Sequence, residues 1–311
     1  MRDNVLSASR QVILWLTFWL PQKRRVDTDR WLRGREEYRK LQAADIVLVS
    51  WGKSGRTWLR LMLSRFYQLK FGLSEKSFLE FDNLKRQDRR IPSVFFTHGN
   101  YIRNYTNHWD SKADYYGKRI VLLVRDPRDV AVSQFFQWKH RMRPWKKTIN
   151  NYPPHGADVS LQDFVLNSRV GLSCIIDYLN GWPRELDHLS DVLVVRYEDQ
   201  RNDPEGTFGR IVAFMNTPGT PEEIRGAVEY AAYENMRKLE RDQSVSASGK
   251  RLVPGDRSNP DSYKVRRAKV GGYRDYFDQR TLATMDRMTD EGLSPAFGYR
   301  GQSPVASVAK A

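Results

Sequence analysis

Four short apolar runs punctuate the chain: Ile46–Val49, Val94–Phe96, Ile120–Val124 and Val192–Val195. Continuous apolar runs of this length read as strands buried on both faces. Helix-like sequence separates each from the next. After the first, Trp58, Leu61, Met62, Phe66 and Leu69 recur at helical spacing and predict a helix over Thr57–Leu69. After the third, Asp126 reads as an N-cap and Pro127 as the first helical residue, followed by Val130, Ala131 and Gln134. Strands alternating with helices predict an α/β domain with a central, mostly parallel sheet flanked by helices in three layers. No internal repeat is visible.

Two segments break the pattern. Arg143–Asp158 and Gln243–Asp261 are rich in Pro, Gly, Asn and Ser and predict irregular loops, long enough for lids or binding loops. Both are basic, with Lys139, Arg141, Arg143, Lys146 and Lys147 around the first and Lys250, Arg251, Arg257, Lys264, Arg266 and Arg267 around the second. Near the start, Val12–Leu20 is an apolar run of nine residues, well short of the roughly 20 needed to span a bilayer. It is followed by Pro21 and Lys23-Arg24-Arg25, which suits a signal peptide poorly. Two readings stay open for it. One is an interfacial segment with Trp15, Phe18 and Trp19 among headgroups and the cationic cluster on anionic lipid, giving peripheral membrane contact. The other is a helix docked on the domain or on a second subunit of a homodimer. The expected division is a basic, apolar helical extension over 1–43, a main domain over 44–299 and a flexible tail over 300–311, in a cytoplasmic or membrane-associated protein.

Composition narrows the chemistry. The 311 residues carry 52 Lys and Arg against 37 Asp and Glu, a formal net charge of +15, so an anionic partner is expected. The single cysteine, Cys174, excludes an internal disulfide framework and a cysteine-rich zinc module. No His, Cys and carboxylate cluster has metal-ligand spacing, and no metal is expected.

The strongest local signal is Ser50-Trp51-Gly52-Lys53-Ser54-Gly55-Arg56-Thr57-Trp58, which follows an apolar strand and opens a helix. Glycines let backbone N–H groups turn inward, the helix N-terminus adds positive potential, Lys53 adds a full charge, and Ser54 and Thr57 add hydroxyl donors: an oxyanion cradle. A Walker A loop ending at Gly52-Lys53-Ser54 would need glycine at position 47, where Val47 stands. The third strand ends in Arg125 and not in a magnesium-holding aspartate.

With these residues in place, the chain resembles the sulfotransferases that use 3′-phosphoadenosine-5′-phosphosulfate (PAPS). Their first motif, Tyr-Pro-Lys-Ser-Gly-Thr-Thr-Trp, is matched by Trp51 to Trp58, with Gly52 in place of Pro and Arg56 in place of the first Thr. Their 3′-phosphate motif, Arg-Asn-Pro-Lys-Asp-Val-Ala-Val-Ser, is matched by Arg125 to Ser133. A looser match to Arg-Lys-Gly-x-x-Gly-Asp-Trp-Lys begins at Arg266-Arg267-Ala268. Tyr197 and Tyr233 fall in segments resembling those that lie near the adenine. The resemblance covers roughly residues 44 to 299 and implies a P-loop-like fold, PAPS as co-substrate and PAP as product. It implies a nucleotide site of Lys53, Ser54, Gly55, Arg56, Thr57, Trp58, Arg125, Ser133, Tyr197, Tyr233, Arg266 and Arg267.

For the chemistry, His98 follows the second strand and is the candidate general base, since an imidazole accepts a proton near neutrality. The family's catalytic histidine occupies the matching place. By the same resemblance, Lys53 stabilises the leaving phosphate and Ser133 holds Lys53 until acceptor arrives. His108 and His140 are expected near the acceptor, a small molecule, glycan or glycolipid shaped by residues 137–158. Two alternatives stand beside this. One is a P-loop nucleotide kinase. The other is a polyanion- or nucleic-acid-binding protein using Trp138-Lys139-His140-Arg141 and Trp145-Lys146-Lys147. No nucleic-acid fold signature supports the latter, and no nucleic-acid partner is expected.

Overall fold

The computed structural model describes residues 10–75, 78–242 and 252–301. A short helix over 10–16 (α1) precedes α2 (Gln22–Ala43), β1 (Ile46–Ser50), α3 (Arg56–Phe71), β2 (Val94–Thr97), α4 (Ile102–Thr106) and β3 (Arg119–Val124). Then come α5 (Pro127–His140), α6 (Pro144–Ile149), α7 (Leu161–Leu166), α8 (Leu172–Asn180) and β4 (Asp191–Arg196). The described chain ends with α9 (Tyr197–Asn202), α10 (Pro204–Phe214), α11 (Pro221–Tyr230), α12 (Tyr233–Asp242) and α13 (Gln279–Gly292).

The four expected strands are present and form one sheet in the order β2-β1-β3-β4, every pair parallel. The apolar runs are continuous because both faces are covered. Along β1, Ile46 and Leu48 enter one core with α3, α10 and α11, while Val47 and Val49 enter the other with α5 and α8. This is the three-layer α/β arrangement that the alternation of patterns predicts. Because β2 and β3 flank β1 on opposite sides, the strand order switches between β1 and β3 although every strand runs the same way. Open parallel sheets bind ligands in the crevice at the carboxyl ends of such strands.

Local chemistry sets the element ends. Asp126 caps α5, its side chain accepting from Arg128 N at 2.9 Å, with Pro127 in the first turn. Gly55 and Gly72, at φ 93° and 62°, take the left-handed conformations that bracket α3.

The segment Arg143–Asp158 departs from the irregular loop expected of it. Residues Pro144–Ile149 form α6. Proline pre-sets the backbone of the first turn, and tertiary contacts complete it: Trp145 Nε1 donates to Asp29 Oδ2 at 2.7 Å, and Ile149 packs with Val26 and Tyr101. Lys147 is buried over the Trp138 ring, so part of the basic segment belongs to the core. Of Gln243–Asp261, residues 243–251 lie outside the described residues, as do 302–311 of the expected tail and 1–9 of the extension. The part of the extension that is described packs onto the domain through α2, which lies against α4, α6 and β2. No helix among the described residues is long and apolar enough to cross a membrane.

Candidate active site

The carboxyl ends of β1, β2 and β3 open into one cleft of about 2180 Å³. The loop after β1 curls through two left-handed residues, Lys53 at φ 74° and Gly55 at φ 93°. Turns of this kind form anion-binding concavities of backbone N–H groups. Gly55 is obligatory on two counts: its φ is costly for any residue with a Cβ, and a Cβ there would come within 2.7 Å of the Tyr197 ring. A Cβ at Gly52 would stand 3.0 Å from Gln134 Oε1, which leaves little space for the proline of the resembling motif.

Lys53, Gly55, Arg56, Thr57 and Trp58 all line the cleft; Ser54 is buried beneath the loop. Burial, reinforced by the nearby charges of Arg141 and Arg125, pushes the Lys53 ammonium down to about 7. Burial and neighbouring guanidinium groups disfavour the charged lysine, and an anion bound beside it would favour that charge again.

Arg125, at the end of β3, ties this region together. It donates to Lys53 O at 3.2 Å and to Lys269 O at 3.2 Å, and pairs with Asp129 at 3.3 Å. Its guanidinium lies over the Tyr197 ring at 4.3 Å. Its Nε is buried and has no hydrogen-bond partner among the described residues. Asp129 in turn accepts from Gly271 N at 2.8 Å and Tyr273 N at 2.9 Å, fastening the 266–274 segment over the cleft. By contrast Arg128, one turn on, is a core residue, paired with Asp126 and Asp286. Ser133 lines the cleft from α5, and Tyr233 lines it from the start of α12, its hydroxyl donating to Arg266 O at 3.0 Å. Arg266 and Arg267 also line it, but their side chains are engaged: Arg266 with Tyr276, Asp261 and the Phe136 ring, Arg267 with Asp275 and Tyr276.

His98 sits just past the end of β2, as its sequence position implies. Its Nδ1 lies 2.7 Å from Ser50 O and its Nε2 lies 2.6 Å from Arg56 Nη2. A carbonyl can only accept and a guanidinium can only donate, so the tautomer is fixed: Nδ1 carries the proton and Nε2 presents its lone pair. Burial first, then the Arg56 charge, holds the imidazolium well below its usual range, so the ring stays neutral with its Nε2 lone pair available. His108 also lines the cleft, paired with Asp114 at 3.0 Å, whereas His140 stacks on Phe136 outside the lining residues.

Sequence reasoning missed Glu37. This α2 carboxylate lines the cleft and accepts from Thr97 Oγ1 at 3.1 Å, the residue before His98. Burial pushes it up to about 7 against the opposing pull of Thr97, Lys146 and Arg56. Lys146, from α6, is itself pushed down to about 8 by burial and Arg33. Nothing local marks Glu37: it sits in a polar, highly charged helix and differs from its neighbours only in what it faces. Among the described residues no group of three His, Cys, Asp or Glu could hold a metal ion.

The sequence pattern of the sulfotransferase domain matches residues 43–296. An amine sulfotransferase from Oryctolagus cuniculus is 24% identical over 264 residues, covering 80% of this chain and 80% of that protein. A flavonol 3-sulfotransferase from Flaveria bidentis is 26% identical over 289 residues, covering 84% of this chain and 86% of its own. The fold is shared with a mouse sulfotransferase, SULT7A1, complexed with PAP, at a TM-score of 0.53 and 19% identity over 83% of this chain and 89% of that one. The domain match spans far more than half of the 311 residues, so the chain belongs to the sulfotransferase family, the PAPS-dependent enzymes that its motifs resemble.

Proposed function

We propose that this sulfotransferase binds PAPS across the loops that follow β1 and β3 and transfers its sulfuryl group in line to an acceptor hydroxyl or amine, with His98 as general base. The observation that carries this reading is the convergence of Lys53, His98 and Arg125 at the carboxyl edge of the sheet, with Arg125 Nε buried and unpartnered among the described residues. That orphan donor, the curled loop and the cation cluster fit a phosphate-rich ligand. PAPS supplies an activated sulfuryl group on a good leaving phosphate. The acceptor O–H or N–H gives its proton to His98 Nε2 as the acceptor atom bonds to sulfur. The bond between sulfur and the 5′-phosphate oxygen breaks, and Lys53 stabilises the charge left on that oxygen. Arg125 and Ser133 hold the 3′-phosphate, with Arg266 swinging from Asp261 and Tyr276 and Arg267 from Asp275 and Tyr276. Tyr197, Tyr233 and Trp58 border the adenine. A dianion beside Lys53 raises its pKa from about 7, so it is charged when the leaving group needs it. The acceptor we favour is a glycan, glycolipid or other polar small molecule, bound between α2 and residues 137–158, where Glu37, Lys146 and Tyr101 supply polar contacts.

Thermal unfolding tests the assignment. PAP without metal is expected to raise the unfolding temperature more than ATP with Mg²⁺ or an oligonucleotide does; stabilisation by ATP with Mg²⁺ alone would reassign the protein to the kinases.

Arg56 adds a testable refinement. Its Nη2 occupies the His98 lone pair that must take the acceptor's proton. An arginine does not surrender its own proton, so the acceptor has to displace it. The Arg56 charge also lowers the His98 pKa, which keeps the base neutral as pH falls. In Arg56→Thr that depression is relieved. The acid limb of the kcat/KM profile then moves to higher pH, because imidazole protonates sooner as pH falls. An unmoved acid limb would mean that Arg56 leaves His98 in the working complex without influencing it.

A further inference from the structure

We infer that residues 10–25 form a docking surface for an anionic lipid bilayer, placed beside the mouth of the cleft. Helix α1 and the turn after it present their apolar side chains outward: Trp15, Phe18 and Trp19 are 72%, 69% and 70% exposed, and Val12 and Leu16 are exposed with them. Monomeric soluble surfaces rarely show a contiguous group of large apolar side chains of this kind without a partner. Two side-chain donors of the aromatic turn are satisfied within the segment. Thr17 Oγ1 donates to Ile13 O at 2.9 Å, and Trp19 Nε1 donates to Leu16 O at 3.0 Å. It can therefore enter a low-dielectric interface without leaving those donors bare.

The position of this surface is held by the opposite face. Arg10, Gln11 and Leu14 line the cleft, and Arg10 is pinned to α2 by Glu36 at 3.0 Å and Asp29 at 3.6 Å. Immediately after the aromatic turn, Lys23 and Arg24 are exposed, and Arg25 lies over the Trp145 ring. Tryptophan and phenylalanine beside exposed cations suit the headgroup region of an anionic membrane, where each basic side chain adds to the attraction. A self-complementary contact with a second copy fits less well. A two-fold interface brings each patch onto its own copy, and the cationic flank would then approach its equivalent. With the membrane in place the cleft opens next to the bilayer. This deepens the sulfotransferase reading by stating from which surface an acceptor arrives; the docking itself rests only on residues 10–25.

Co-sedimentation of the full chain with vesicles tests the inference. Vesicles of mixed phosphatidylglycerol and phosphatidylcholine are expected to bind the protein in a salt-sensitive manner, and pure phosphatidylcholine much less. A Trp15→Ser, Trp19→Ser variant and, separately, a Lys23→Glu, Arg24→Glu variant are each expected to lose about tenfold or more of that binding. Both sets of side chains are exposed, so PAP-induced thermal stabilisation stays as in the parent. That measurement separates the two readings: loss of vesicle binding with PAP stabilisation intact concerns docking alone, and absent PAP stabilisation in the parent concerns the sulfotransferase site alone. The inference is overturned if the parent does not bind anionic vesicles, or if both variants bind as the parent does. It is also overturned if size-exclusion chromatography shows a dimer that the double Trp variant dissociates, which would assign the apolar face to a second copy.

Discussion

Replacing His98 by alanine is expected to reduce sulfuryl transfer by about 10²–10⁴-fold, the range a positioned general base supplies, while PAP affinity stays near that of the parent. The separation follows from the geometry. His98 projects from the end of β2, contacting Ser50 O and Arg56 Nη2. The residues expected to hold the nucleotide come from the loops after β1 and β3 and from the 266–274 segment. Isothermal titration with PAP and a single-turnover transfer assay read the two properties separately. His98→Gln sharpens the test, because it retains hydrogen-bonding capacity toward Ser50 and Arg56 but cannot act as a base near neutrality. It is expected to be as inactive as the alanine variant, and partial rescue of the alanine variant by added imidazole would follow from a missing base. Retained transfer in both variants would point to another base, and Glu37, with its carboxyl pushed up to about 7 beside Thr97, is the group to change next.

The second large effect is expected at Arg125. A hydrogen bond to a charged group is worth about 1.5–3 kcal/mol, so Arg125→Ala should weaken PAP by roughly 10- to 150-fold. Adenosine 5′-phosphosulfate lacks the 3′-phosphate and should lose far less. The contrast between ligands is essential, because Arg125 also has structural work: it bonds Lys53 O and Lys269 O and pairs with Asp129. Damage to that scaffold would weaken both ligands alike. An equal loss would therefore place Arg125 in support of the loop and not on the 3′-phosphate. Arg125→Lys keeps the charge but forfeits the planar fork and the stacking on Tyr197, so it should recover only part of the affinity.

The two regions differ in how far local sequence foretold them. The loop after β1 was legible because its chemistry is carried by consecutive residues: a buried strand, glycines, a lysine and hydroxyls, then a helix. The start of α5 was legible for the same reason, since Asp126 and Pro127 act on their own turn. Helix α6 was not, because its six residues are held by Trp145 on Asp29 and by Ile149 in a small core with Val26 and Tyr101, contacts to residues more than forty positions away. Basic side chains were the least predictable. Arg128, Lys147 and Arg141 look alike in sequence to Arg125, yet Arg128 is locked to Asp126 and Asp286, Lys147 lies over Trp138, and Arg141 bonds Glu240.

By itself the sequence determined the α/β class, the four strands, the anion loop and the family, because periodicity, capping and motif spacing act between near neighbours along the chain. Only the tertiary structure decided that Arg56 caps the His98 lone pair, that Glu37 enters the cleft from α2, and that α1 and the turn after it present their aromatics outward while the other face of α1 borders the same cleft. The physical reason is the parallel pairing of β1 with β2 and β3. Residues 42 positions apart meet as Arg56 and His98 because strand register, and no local preference, brings their loops to one edge of the sheet.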